Sequence, residues 1–326
     1  MNLNSESINK RVSCSVVIPV YNSESTLQLL MKRLEQTLSK IAEEYEVILV
    51  NDGSQDQSWQ IIETLSHQHS WIVGINLMRN YGQHNALLCG VRTARYPICV
   101  TMDDDLQHPP EEIPKLIAKL QEGHDVVYGI PNKLPHSLWR NFFSYVTKRI
   151  LAFIMNVKTV KDIGSFRAFR TDLRKAFSRY QSPGVILDAL LSWGTVRFSS
   201  VTIEANPREQ GKSNYNFAKL VGQALLILTG FSTVPLRFAS WLGFFATLFG
   251  IAIFLYVVIT YLAAGSIPGF PFLASIISIF SGTQLFALGI FGEYLARVFD
   301  RSMEHPAYIV EVVIRDGKII GLDDVE

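Results

Sequence analysis

The chain is 326 residues long, enough for one large domain or two smaller ones, and its formal net charge of +1 excludes the broad basic face that a nucleic-acid binder needs. With 48% hydrophobic and 18% charged residues it is more apolar than a typical soluble protein, and the excess is unevenly spread. Cys14, Cys89 and Cys99 lie far apart without metal-ligand spacing, and read as reduced core thiols of a cytoplasmic compartment.

The first residues are polar and carry no long apolar run, so no signal peptide is expected. Val12–Val20 is short, contains Pro19 and reads as a buried strand ending in the turn Tyr21-Asn22-Ser23-Glu24-Ser25. Thr26–Tyr45 then carries Leu27, Leu30, Leu34, Leu38 and Ile41 at helical spacing. A second strand, Glu46–Val50, ends at Asn51-Asp52-Gly53-Ser54. A helix with Trp59, Ile62 and Leu65 on one face follows, then a strand at Ile72–Leu77, a helix at Ala86–Thr93 and a strand at Ile98–Met102. This alternation predicts an α/β fold of βαβ units, a largely parallel sheet with helices on both faces, and ligands bound beyond the carboxyl ends of the strands.

The polar clusters at those ends are the candidate site. Asp103-Asp104-Asp105 follows the fourth strand and precedes Leu106-Gln107-His108-Pro109-Pro110. Carboxylates on alternate residues can share one hard cation, Mg²⁺ or Mn²⁺, which in turn holds a diphosphate; a solvated acidic turn is the competing reading. Asp52, in a tight Asp-Gly turn, can accept hydrogen bonds from a base N–H or a ribose hydroxyl, or be a plain turn residue. Arg79-Asn80-Tyr81-Gly82-Gln83-His84 is more polar than a connector requires, with His84 either a ligand or a hydrogen-bonding residue at a helix start.

The back third changes character. Phe238–Gly292 holds no charged residue, room for two membrane spans at about 20 apolar residues each. They are expected near 238–263 and 271–294, with the turn between them at Gly265–Pro271. Arg237 precedes them, Arg297 and Arg301 follow, and the connecting loop has no Lys or Arg, which predicts that both outer ends face the cytoplasm. The basic amphipathic stretch Trp139–Val157 and the apolar Phe217–Val234 suit either the lipid interface or ordinary packing on the core. Tyr308–Ile320 reads as a hairpin around Asp316-Gly317. The expected organisation is therefore a catalytic domain at 1–235, a transmembrane hairpin at 236–297 and a cytoplasmic tail at 298–326.

In order and spacing, Val-Ile-Pro-Val-Tyr-Asn, Asn-Asp-Gly-Ser, Arg-Asn-Tyr-Gly-Gln-His, Asp-Asp-Asp-Leu-Gln-His-Pro-Pro-Glu-Glu and the two spans resemble the polyprenyl-phosphate glycosyltransferases, family 2 enzymes of the GT-A fold. The resemblance runs from about Ser15 to about Val310 and is strongest to the bacterial branch acting on undecaprenyl phosphate. It implies a membrane enzyme with its catalytic domain in the cytoplasm. That enzyme transfers a sugar, with inversion, from a nucleotide sugar (UDP-linked by resemblance) to a polyprenyl phosphate, and forms a homo-oligomer. It assigns Pro19, Tyr21, Asp52, Asp103, Gln107, Arg208 and Lys212 to the donor, and Asp103 and Asp105 to the metal. Asp105, Asp162 and Arg167 carry catalysis, with Arg167 either gripping the lipid phosphate or serving the core. One departure stands out: where many relatives read Gly-Asp-Phe-Arg, this chain has Gly164-Ser165-Phe166-Arg167. That substitution is the best support for a rival reading, a membrane-tethered nucleotide-sugar-binding or scaffolding protein with impaired catalysis, which the intact Asp103/Asp105 pair and Asp52 oppose. A processive polysaccharide synthase is disfavoured, because the chain lacks a Gln-X-X-Arg-Trp motif.

Overall fold

The computed structural model describes residues 12–132, 164–182, 184–204, 233–264 and 269–320. The chain divides into two compact units, Met1–Asn216 with His305–Glu326, and Phe217–Glu304.

In the first unit β1 (Val12–Val20), α1 (Leu27–Ile41), β2 (Ala42–Asn51), α2 (Ser58–Gln68), β3 (Ile72–Leu77), α3 (Gln83–Thr93) and β4 (Ile98–Thr101) alternate as the periodicity predicts. They are followed by α4 (Ile113–Gln121), β5 (Val126–Pro131), β6 (Arg167–Arg170), α5 (Leu187–Gly194) and β7 (Phe198–Ile203). Helix α1 stops at Ile41, four residues before the end of its helical sequence pattern, because Ala42 is already extended and begins pairing beside Val12.

The strands form one sheet in the order β7-β5-β6-β4-β1-β2-β3, completed by β8 (Val310–Arg315) and β9 (Lys318–Ile320). Strands β4, β1, β2 and β3 run parallel, and their shared carboxyl edge carries the polar clusters. Beyond this parallel centre the sheet is mixed, since β6 runs antiparallel to both neighbours and β8 antiparallel to β3. The hairpin turn has Asp316 and Gly317 at φ 52° and 70°, the two left-handed positions that such a turn demands.

The strands of the parallel centre are apolar on both faces, as expected where helices cover both sides. On one face Val16, Ile18, Val47, Leu49 and Val100 pack against Leu27, Leu30, Leu34 and Leu38 of α1 and Leu116 of α4. On the other, α3 approaches so closely that a Cβ on Gly90 would stand 2.3 Å from Val17 Cγ1. The three cysteines are buried and unpaired, and burial pushes the Cys14 and Cys89 thiols up to about 12.

The second unit contains α6 (Val234–Ala264) and α7 (Phe270–Ser302). The most apolar 18-residue stretch within 234–263 has a mean hydropathy of 2.5, and α6 has large apolar side chains facing outward all along its length. Its 31 residues extend about 46 Å, more than a bilayer core. Among the described residues this is the one helix long and apolar enough to cross a membrane, where the sequence led us to expect two. Helix α7 is as long, but its last third carries Glu293, Arg297, Asp300 and Arg301. The helices touch where Gly250 meets the Phe280 ring; a Cβ there would lie 2.8 Å from Cζ.

Candidate active site

The carboxyl edge of the sheet is assembled by loops holding one another. β1 is interior to the sheet, yet it tolerates Pro19 because pairing with β4 stops at Val17, so no neighbour there needs a Pro N–H. Pro19 is buried in the strand, and Tyr21, about half exposed, is the first residue of this segment to face open space. Tyr21 lines a cavity of about 510 Å³ together with Gly53, Ser54, Trp59, Arg79 and Glu311, among others. That volume is in the range that holds a nucleotide-sized ligand.

Asp52 lies in the turn directly after β2. It is only 3% exposed, and its two oxygens accept the backbone N–H groups of Tyr81 (2.7 Å) and Gly82 (2.9 Å). Burial raises the carboxyl pKa, while those amides oppose the rise. Asp52 therefore shapes the loop after β3 and does not line the cavity. A chain of side-chain bonds runs nearby across three strand ends: Asn51 Nδ2 donates to Asn76 Oδ1 (2.6 Å), and Asn76 Nδ2 to Glu311 Oε2 (2.7 Å).

The acidic triple begins where β4 leaves the sheet, after Met102 N–H bonds to Val17 O. Asp103 accepts from Gln83 Nε2 (2.7 Å) and from Ser165 Oγ (2.5 Å). Desolvation raises its pKa, with a further push from Asp105, against the Ser165 bond. Burial likewise lifts Asp104 to about 6. Asp104 accepts from Tyr21 N–H and the Ser23 hydroxyl. Asp105 Oδ1 accepts the Gln107 backbone N–H at 3.1 Å, with Leu106 between them in the left-handed region at φ 58°. His108 stacks on Phe166 at 5.3 Å and is held below its usual pKa by burial, against the pull of Asp103 and Asp105.

Among the described residues no Lys or Arg is hydrogen-bonded to any of these three carboxylates. Crowded acids without a bonded counter-charge, offering oxygen donors, suit a hard divalent cation. No three His, Cys, Asp or Glu side chains among the described residues form a complete metal cage. Asp103 and Asp105 could supply part of a shell, of the kind that Mg²⁺ or Mn²⁺ completes with phosphate and water.

Arg167, read from the sequence as either a phosphate ligand or a core residue, lies in the core. Strand pairing sets it opposite Thr101 on β4 and Tyr128 on β5, so all three side chains share one face of the sheet. It is 1% exposed, donates through Nε to Thr101 Oγ1 (2.9 Å) and forms a buried ion pair with Asp188 of α5. Tyr128 Oη donates to the same Asp188 oxygen at 2.8 Å. A group so enclosed does not reach a lipid phosphate. Its effect passes inward instead: Thr101 Oγ1 donates to Ser165 O (2.8 Å), and Ser165 donates to Asp103.

His84, the second residue of α3, accepts the Leu187 N–H through Nδ1 (3.5 Å), and burial keeps its pKa below the usual value. Gln107 is partly exposed beside Asp105. Asp162, Arg208 and Lys212 lie outside the described residues, as do Trp139–Val157 and most of Phe217–Val234. Sequence reading placed Gln83 in a polar cluster without a role, and missed Ser165 as a donor to Asp103, Glu311 and Asp188. Asp188 did carry a signal, being a lone charge in Val185-Ile186-Leu187-Asp188-Ala189-Leu190-Leu191.

With this geometry established, comparison with known proteins is informative. The profile described as "Glycosyl transferase family 2" matches residues 15–177. The undecaprenyl-phosphate 4-deoxy-4-formamido-L-arabinose transferase of Shewanella sediminis (strain HAW-EB3) is 35% identical over 306 residues, covering 92% of each chain. A crystal structure of glucosyl-3-phosphoglycerate synthase from Mycobacterium tuberculosis, in complex with Mn²⁺, uridine diphosphate and phosphoglyceric acid, superposes with a TM-score of 0.50 at 17% identity. The match covers 67% of this chain and 76% of that one, and it supports the fold alone.

Proposed function

The chain belongs to glycosyl transferase family 2, in its polyprenyl-phosphate branch, and from that premise we propose that it moves a sugar from a nucleotide sugar to a membrane polyprenyl phosphate, with inversion at the anomeric carbon. The observation that carries this reading is the Asp103–Asp105 segment, bonded through Asp104 to the Tyr21 that lines the cavity, in a chain that continues into a 30-residue apolar helix. The donor is a nucleoside diphosphate sugar, uridine diphosphate by resemblance, its nucleoside part in the cavity and its diphosphate at Asp103 and Asp105. Asp103 and Asp105 would hold a divalent cation, whose charge would neutralise the departing diphosphate. Ser165 and Gln83 keep Asp103 oriented for that task. Gln107 lies next to the sugar, and Arg208 and Lys212 contribute positive charge toward the phosphates.

The acceptor phosphate needs little activation. A phosphate monoester has a second pKa near about 6, so the lipid phosphate is largely dianionic at neutral pH and is itself the nucleophile. Positioning and charge neutralisation then dominate. On this reading Asp162 orients acceptor or sugar, and Ser165 in place of the acid does not disable the site.

Chain connectivity supports a multi-pass membrane arrangement. Strand β8 follows α6 and α7 in sequence, yet is hydrogen-bonded to β3, which precedes them. A single crossing would leave β8 across the bilayer from β3. An even number of crossings reconciles the two, with the uncharged 270–292 portion of α7 as the second span. Arg237, Arg297 and Arg301 then favour a cytoplasmic location for both outer ends. Self-association into a homo-oligomer completes the proposal and rests on the family resemblance.

The deciding experiment offers a panel of nucleotide sugars and undecaprenyl phosphate to purified protein and reads lipid-linked product by mass. Wild type should form one glycolipid, and Asp105→Ala should lose more than about 100-fold of the rate, the scale set by removing a transition-state charge stabiliser. Nucleotide binding without turnover would favour the scaffolding alternative. Full activity in Asp105→Ala would refute the metal role.

A further inference from the structure

Asp103 and Asp105 have assigned tasks on the proposed reading, and Asp104 between them does not. Its contacts are specific. Asp104 Oδ2 accepts the Tyr21 N–H at 3.3 Å and forms a short bond with the Ser23 hydroxyl, bridging more than 80 residues of sequence.

The turn it touches is firmly held on its other side. Asn22, at φ 54°, donates its N–H to Ser54 Oγ (3.0 Å), and its Oδ1 accepts the Gln55 N–H (2.8 Å). Ser23 N–H donates to Ser58 Oγ (2.9 Å) and Glu24 N–H to Asp56 Oδ2 (3.1 Å). The Gln57 N–H donates back to Glu24 Oε2 at 2.9 Å. These bonds join the Tyr21–Glu24 turn to the loop after β2. Among the described residues, Asp104 alone hydrogen-bonds that turn to the acidic segment after β4. Tyr21 walls the cavity, and Asp103 and Asp105 flank Asp104 in the chain.

We propose that Asp104 is a positioning residue: through Tyr21 and Ser23 it fixes the cavity wall relative to Asp103 and Asp105, setting the span between the nucleoside and diphosphate sites of the donor. It acts as a hydrogen-bond acceptor and not as a third metal ligand. The inference rests on the function proposed above, and it makes Ser23 and Asp104 one mechanical unit.

The test compares Asp104→Ala, Ser23→Ala, the double variant and Asp104→Asn in the full-length protein. It reads KM and kcat for the nucleotide sugar, the half-saturating Mn²⁺ concentration, and calorimetric binding of uridine diphosphate with Mn²⁺. Asp104→Ala and Ser23→Ala should each raise donor KM and weaken uridine diphosphate binding about tenfold, with kcat less affected. The double variant should lose no more than the worse single one, since both remove the same link. Asp104→Asn keeps an acceptor oxygen without the charge and should recover most of the loss, with the Mn²⁺ requirement unmoved. A tenfold rise in that requirement in Asp104→Asn would make Asp104 a metal ligand and overturn the proposal. Additive losses in the double variant, or unchanged uridine diphosphate binding in Ser23→Ala, would do the same. Failure of the reaction itself is a separate outcome: the wild type would bind nucleotide but form no glycolipid. The binding arm tests Asp104 in either case. Ser23→Ala, which removes one partly exposed hydroxyl, keeps the test open if Asp104→Ala does not fold.

Discussion

Asp188→Ala removes the only bonded counter-charge of Arg167 among the described residues, in a place where neither partner is more than 5% exposed. A buried ion left unpaired costs about 3–5 kcal/mol. Tyr128 Oη loses its acceptor in the same change, about 1 kcal/mol more. The total, about 4–6 kcal/mol, is a large part of the roughly 5–15 kcal/mol by which a domain is stable. At about 2–4 °C per kcal/mol for a domain of this size, the midpoint should fall by about 8–24 °C. The assay is thermal unfolding of the full chain in detergent, followed by tryptophan fluorescence, with Trp193 in α5 itself reporting on the site. The pair can also be removed together. Arg167→Met with Asp188→Leu leaves no buried charge, and should be clearly more stable than Asp188→Ala alone. An Asp188→Ala midpoint within about 2 °C of wild type, or a double variant worse than the single one, would refute the reasoning.

Three other outcomes can be checked directly. Burial keeps His84 below the unfolded pKa of about 6.5, so the unfolded chain takes up the proton first as pH falls. Stability should therefore drop from pH 7.5 to 5.5, and His84→Gln should flatten that slope; equal slopes in melting experiments would reject a buried neutral histidine. Gly53 sits at φ +67°, and an added Cβ would lie 2.5 Å from the Asn80 backbone nitrogen. Gly53→Ala should cost about 1–3 kcal/mol and, by displacing Arg79 and Asn80 at the cavity, raise donor KM; an unchanged KM and midpoint together would contradict this. Reporter fusions after Glu326 and within 265–268 should show opposite sides of the membrane, and the same side for both would exclude two crossings.

What could be read from the sequence was local. Leu27, Leu30, Leu34 and Leu38 announce a buried helix face because the period is in the chain itself, and all four are fully buried. Asp316-Gly317 announces its turn in the same way. Strand β6 gives no such signal: Arg167-Ala168-Phe169-Arg170 is short and charged at both ends, and only β4 and β5 on its two sides make it a strand. Its placement bears on the two readings of Arg167, since the side chain lies in the core as an ion-pair partner of Asp188. Asp52 likewise takes its contacts from far along the chain. A carboxylate in a turn advertises free oxygens, and the N–H groups that occupy them come from Tyr81 and Gly82, about 30 residues away. Asp103 and Asp105 stand out in the sequence because two acids at a strand end form a pattern that suits a hard cation. The bonds from Ser165 and Gln83 that orient Asp103 arise only in three dimensions.

The antiparallel pairing of β8 with β3 has a consequence for how the protein is made. Strand β3 leaves the ribosome early, and with β2 on one side its other edge stays open. The strand that covers it, Val310–Arg315, is translated only after α6 and α7 have been made. Until then Ile72–Leu77 presents unpaired N–H and C=O groups and apolar side chains, a template for wrong partners. Closure of the sheet edge is thus a late step: until Val310–Arg315 pairs with it, β3 keeps an exposed edge open to wrong partners.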